Sequence, residues 1–144
     1  MSGIVYPVHN NIFKINTAGR TTPGTLVTIA DLETFKLSVE SKDEEWYPLD
    51  LAGWARQAST GKKLAVSFTG KRSYGDAGND YIADMLLATG NDLQSVFEWT
   101  FPATGGKLTM PCIVKLTTPA GGDSTNMDTL EFELLSDGLP TFTA

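Results

Sequence analysis

The chain of 144 residues carries 11 lysines and arginines against 17 carboxylates, for a net charge of −6, and is 41% hydrophobic and 19% charged. That is the make-up of one globular domain able to bury a core, here spanning 1–144, and it excludes a disordered chain or a fibre. The acidic balance opposes nucleic acid as a bound partner, since phosphate binding rests on Lys and Arg, and no apolar run approaches the ~18 residues of a membrane span.

Residues 1–24 contain Pro7, Gly19 and the run TTPG with little periodicity, and are expected to form an extended N-terminal arm with a short strand around Ile12–Ile15. The opening MSGIVYPVHNNIFKIN lacks the basic start, apolar middle and small-residue cleavage site of a secretion signal, which predicts a protein made and used soluble, of cytoplasmic origin. FKLSVES then alternates, setting Phe35, Leu37 and Val39 on one face of a strand, and KLAVSFTGKR does the same with Leu64, Val66 and Phe68. Between them, residues 44–62 are too many for a tight turn and predict a long loop, in which Trp46, Tyr47 and Trp54 are anchors rather than core.

The run GDAGNDYIADMLLATG predicts a helix over 79–89, with Asn79 as its cap, Tyr81, Ile82, Met85 and Leu86 on one stripe, and Gly90 as its stop. A single apolar stripe places it on the flank of a sheet. SVFEWTFP, GGKLTMPCIVKLTT and TLEFELLSDG return to period two. Pro111 lacks a ladder donor, so its strand is expected at an edge or with a bulge, and DGLPTFTA reads as a tail. Five or six alternating strands and one helix predict a mainly β fold, a β-sandwich or open barrel with one flanking α-helix, an extended N-terminal arm and a long assembly loop.

Charge is arranged in blocks. Residues 31–50 hold seven carboxylates against Lys36 and Lys42, and residues 51–72 hold Arg56, Lys62, Lys63, Lys71 and Arg72 with no acid. From residue 73 onward there are ten carboxylates against Lys107 and Lys115. The blocks are either solvated faces or two complementary patches, and two different patches meeting head to tail generate rings or filaments.

No residues suggest catalysis. His9 is the single histidine, which leaves no Ser/His/Asp or Cys/His arrangement and no multi-histidine zinc site. Cys112, the single cysteine, cannot form an internal disulfide and alternates with Met110 and Val114 as a core residue would. Asp76, Asp80 and Asp84 recur at helical spacing but lack the Gly turn and bidentate Glu of a calcium loop, and TGKKLAVSFTGKR contains no phosphate-loop pattern. The expectation is no enzyme, no cofactor and no metal. Trp46, Tyr47 and Trp54 leave two readings open: a self-association surface, since interfaces enrich Trp, Tyr and Arg at hot spots, or the aromatic platform of a monomeric carbohydrate-binding or decoration domain.

The order of short motifs adds a resemblance. WYPL from Trp46, GWAR from Gly53, TGKK from Thr60, GKR from Gly70, GDAGNDY from Gly75, FEW from Phe97, Pro102 and FELLSDGLP from Phe132 together resemble the tail tube protein of long-tailed bacteriophages of Gram-positive hosts, over roughly residues 30–142. The resemblance implies a β-sandwich subunit, six of which form a ring, with rings stacked into a tube through which DNA passes without specific binding. It implies loops and arms that bridge subunits, an acidic bore, and a virion protein assembled in the host bacterial cytoplasm with tape-measure, tail tip and tail terminator proteins as partners. On that basis Trp46, Tyr47, Trp54, Arg56, Lys62, Lys63, Lys71 and Arg72 are expected at subunit interfaces, and Glu98, Glu131 and Glu133 at the lumen. A tube from a contractile tail or a phage-tail-like bacteriocin shares these expectations.

Overall fold

Alternating apolar and polar residues build the strands of the computed structural model, which describes residues 3–21 and 24–144. They are β1 (Ile12–Asn16), β2 (Leu26–Thr28), β3 (Leu32–Trp46), β4 (Arg56–Lys71), β5 (Gln94–Thr100), β6 (Lys107–Thr118), β7 (Thr129–Ser136) and β8 (Thr141–Thr143). All pair antiparallel in one sheet of order β2-β1-β5-β6-β7-β4-β3, with β8 also beside β6.

The sheet rolls over on itself. β1 and β3 are far apart in strand order, yet the Phe13 and Phe35 rings lie 4.8 Å apart and Phe13 meets Phe68 edge-on at 4.9 Å. The result is an open barrel whose seam lies between β1 and β3. Its interior holds the apolar member of each alternating pair, with Phe68, Phe97, Phe132, Met110, Leu130 and Leu134 fully buried. Cys112 is among them, and burial pushes its thiol up to about 12, so it stays protonated and unreactive. Native protein is expected to resist a thiol-reactive dye at pH 8 for as long as it stays folded, and rapid labelling there would contradict this burial.

The flanking helix α1 (Ala77–Ala83) continues as a 3-10 turn over Asp84–Leu87. It differs from the expected 79–89 segment at both ends. Asp76 is the cap, its carboxylate accepting from Asn79 N at 2.9 Å and Ala30 N at 3.1 Å. Chain direction turns extended at Ala88, so Gly90 starts a separate 3-10 turn rather than ending the helix. Gly78 seats α1 on the β2–β3 corner, since a Cβ there would come within 2.7 Å of Thr28 O.

Other boundaries also move. Much of the expected 1–24 arm belongs to the body: β1 pairs with β2 and β5 and buries Ile15 fully, because Phe13 and Ile15 alternate into the barrel. The exposed lead is Gly3–Asn10, and Met1, Ser2, Thr22 and Pro23 lie outside the described residues. The expected loop 44–62 is mostly strand, since β3 and β4 pair as far as Trp46 and Arg56. The C-terminal tail is docked, with β8 on β6 and Phe142 stacked on Phe101 at 5.6 Å. β6 is a central strand, not an edge. Pro111 O accepts from Asp137 N at 2.8 Å, and a strand residue points its carbonyl and amide nitrogen to the same side, so the missing donor faces the interruption between β7 and β8.

Candidate assembly interface

β4 pairs with β7 only from Ala65 to Lys71, and at the end of that pairing Ser136 Oγ accepts from Leu64 N at 2.9 Å. Beyond this point β3 and β4 have only each other. Their outer halves form a two-stranded ribbon in which every residue from 39 to 63 except Pro48 is exposed, including Val39, which the alternation had placed inward. Two strands alone are marginal in water. Both ribbon edges carry unpaired backbone groups, the arrangement that natural proteins cover or charge.

The ribbon's end is a compact turn. A 3-10 segment at Leu49–Leu51 follows Pro48, Trp54 N donates to Leu51 O at 3.0 Å, and Ala52 and Gly53 are both left-handed, with φ of 51° and 91°. This turn presents Trp54 (78% exposed), Tyr47 (65%), Trp46 (39%) and the fully exposed Leu49. Arg56 lies over the Trp46 ring at 5.4 Å. Tyr47 Oη donates to Glu45 Oε1 at 2.7 Å, and that bond holds the phenol above its ordinary pKa. The three aromatics singled out from sequence are thus brought together, with Leu49 and Leu51 added.

The basic block is largely answered within the chain. Lys63 Nζ lies 3.0 Å from Glu40, Lys71 Nζ 3.4 Å from Glu33, and Arg72 Nη1 2.7 Å from Asp80. The first two pairs are exposed and worth little. The Arg72 side chain is only 8% exposed, also donates to Asn79 Oδ1 at 3.0 Å and covers the Tyr74 ring at 4.0 Å, so it holds α1 rather than offering a free charge. Lys62 has no ion pair among the described residues.

The Arg72 hydrogen bond holds the Asp80 carboxyl below the usual carboxylate range. A carboxylate with a lowered folded pKa adds stability that is complete above its unfolded value, about pH 4, and is lost as pH falls through the lowered value. Melting temperature is therefore expected to fall more steeply below about pH 4 in the native protein than in Asp80→Asn. Parallel curves for the two would contradict the linkage.

Glu98, Glu131 and Glu133 share the face of the sheet opposite the core. They do not stand alone there: Glu98 faces Lys14 across β1 and Lys107 at 3.7 Å, and Glu133 faces Lys115, with Lys36 one strand beyond Ser67 in the same row. Glu131 faces Thr69 and Thr118 and has no ion pair among the described residues. Among the described residues no group of three or more His, Cys, Asp or Glu side chains could hold a metal ion, and no helix is long and apolar enough to cross a membrane.

No protein-family model and no curated protein sequence matches the chain. Solved structures do. A chain from the tail of an empty gene transfer agent particle, reconstructed by helical refinement with C6 symmetry, superposes with a TM-score of 0.77, covering 97% of this chain and 100% of that one at 16% identity. The fold is that of a tail tube protein. A chain from the virion of a native gene transfer agent particle gives a TM-score of 0.73 with the same coverage and identity. A chain of the phage p2 baseplate in its activated conformation gives 0.50 at 13% identity, over 88% of this chain and 43% of that one. In this tail-tube fold the rolled sheet and the flanking helix form the body, and the ribbon is the element that leaves it.

Proposed function

We propose that the chain is a structural subunit of a phage-type tail tube. Copies associate into rings of six, the rings stack head to tail, and DNA passes down the bore at ejection. The observation that carries this reading is the end-to-end structural likeness to a gene transfer agent tail chain. The exposed ribbon supports it independently, because a two-stranded element with an apolar tip gains its stability from a partner.

In this reading Trp46, Tyr47, Trp54, Arg56 and Lys62 make contacts between subunits, with the exposed pairs at Lys63 and Lys71 free to be shared, while Arg72 acts within its own subunit. Glu98, Glu131 and Glu133 face the bore on a wall they share with Lys14, Lys36, Lys107 and Lys115, and these carboxylates offset lysines that would otherwise hold phosphate by counterion release. The protein acts without catalysis, in the virion after assembly in the host cytoplasm, and tape-measure, tail tip and tail terminator proteins set the length and close the ends.

Negative-stain electron microscopy with light scattering on concentrated protein tests the reading. Rings or hollow tubes are the expected result. A monomer at every concentration that binds glycans through Trp46, Tyr47 and Trp54 would replace the proposal with a carbohydrate-binding one.

A further inference from the structure

The open seam of the barrel is a groove of about 460 Å³. Phe13, Phe35 and Phe68 lie at its base, Ile12 and Leu32 form its walls, and the exposed carboxylates of Asp31 and Glu33 stand at its lip. The lip is built rather than loose. Asp31 is left-handed at φ 62°, its carbonyl accepts from Lys71 N at 2.9 Å, and Gly70 is the residue that lets the backbone pass it.

We infer that this groove is the socket for the aromatic ribbon tip of a second copy, with Trp54 entering the Phe13–Phe35–Phe68 cluster and Arg56 meeting the Asp31–Glu33 lip. The inference rests on the tube reading and names where its contact lands. Three observations select the occupant. Socket and tip sit at the two ends of one strand: Phe35 and Trp46 are both in β3, and at about 3.4 Å per residue the tip stands roughly 37 Å from its own groove. It can fill only another copy's groove. The chemistry matches, since aromatic rings favour offset-stacked and edge-to-face packing, and the cluster already holds Phe13 edge-on to Phe68 and Phe35 stacked on Phe68; the cation beside Trp46 complements Asp31 and Glu33, the latter shared with Lys71. The other exposed apolar segments are less suited: Phe142 is already stacked on Phe101, and Ile4–Tyr6 is tethered close to Val8, which lines its own subunit's groove.

A knob and a socket on different parts of one subunit make a heterologous contact, which propagates instead of closing a dimer. Trp54 and Tyr47, 78% and 65% exposed, retain most of the roughly 150–250 Å² that an aromatic side chain can bury, a sizeable part of the ~800 Å² per partner of a stable interface.

The test places photo-reactive benzoylphenylalanine at position 54, mixes heavy- and light-isotope protein, irradiates at polymerising concentration and maps the products by mass spectrometry. Mixed-isotope cross-links to peptides spanning 8–13 or 28–35 are expected. Tubes whose cross-links map elsewhere, to 3–7 or 139–144 included, overturn the socket and leave the tube reading standing. Absence of both tubes and cross-links overturns both. A second variant approaches from the groove: Ile12→Arg, at a position 44% exposed, is expected to leave the melting curve in place and raise the concentration needed for polymerisation at least tenfold. Unchanged polymerisation by Ile12→Arg overturns the socket.

Discussion

Trp54→Ala leaves the subunit folded and stops its polymerisation at concentrations where the native protein assembles. The side chain is 78% exposed and sits in a ribbon with no third strand, so truncation removes little from the isolated subunit; surface changes of this kind stay within about ±0.5 kcal/mol. At an interface the same indole is a hot-spot residue, where truncation costs about 2–4 kcal/mol per contact. At 1.4 kcal/mol per factor of ten, that raises the polymerisation threshold by roughly 30- to 1,000-fold. Thermal melting paired with sedimentation reads both halves of the prediction. A variant that unfolds would make Trp54 a stabilising residue of the monomer, and one that polymerises normally would move the contact away from the tip.

The largest expected loss of stability comes from Asn79→Ala. Asn79 is fully buried and its amide is satisfied on every side. Oδ1 accepts from Ser73 N and Arg72 Nη1, both at 3.0 Å, and Nδ2 donates to Ala30 O at 3.1 Å and Lys71 O at 3.0 Å. One side chain thereby ties the β2–β3 corner, the end of β4 and α1 together. Alanine strands several of these groups, each costing about 1–3 kcal/mol when left buried without a partner. A net loss of about 4 kcal/mol is expected, a large share of the ~5–15 kcal/mol that holds a domain of this size. Asn79→Asp keeps the acceptors and loses both donors, and is expected to fall between the two. Urea denaturation measures the series, and a loss under about 1 kcal/mol for Asn79→Ala would show that water or movement of α1 replaces the network.

The barrel was legible wherever alternation had a core to point at. Leu64, Val66 and Phe68 face inward as their period requires, as do Met110, Cys112 and Val114, and Leu130, Phe132 and Leu134. Alternation fails for the ribbon because neither of its faces is buried, so nothing selects apolar residues beyond Leu37 and a real strand reads as loop. A second signal was present: Glu40 and Lys63 stand within one residue of equal distance from the turn and pair across it, so acidic and basic blocks flanking a Pro–Gly turn read as a charged hairpin. Asn79 was misread because an asparagine before an apolar stripe has the same local signature as cap or as buried hub. Only the contacts with Ala30 and Lys71, one of them distant in sequence, separate these roles. The aromatic tip was visible in composition alone. The groove was not, because its two walls come from strands that are not neighbours in the sheet.

The ribbon also bears on the life of the free subunit. Its exposed edges could template pairing between any two molecules, yet they carry Glu40, Lys42, Asp43, Glu44, Glu45, Lys62 and Lys63. Charges on such an edge act as gatekeepers against indiscriminate strand addition. Their influence reaches about 10 Å at 0.1 M salt and about 3 Å at 1 M, so concentrated salt weakens the guard while leaving the apolar tip intact. A dense stock of subunits in dilute buffer keeps its ribbons apart, and the same stock moved to high salt loses the barrier that separates ordered growth from precipitation.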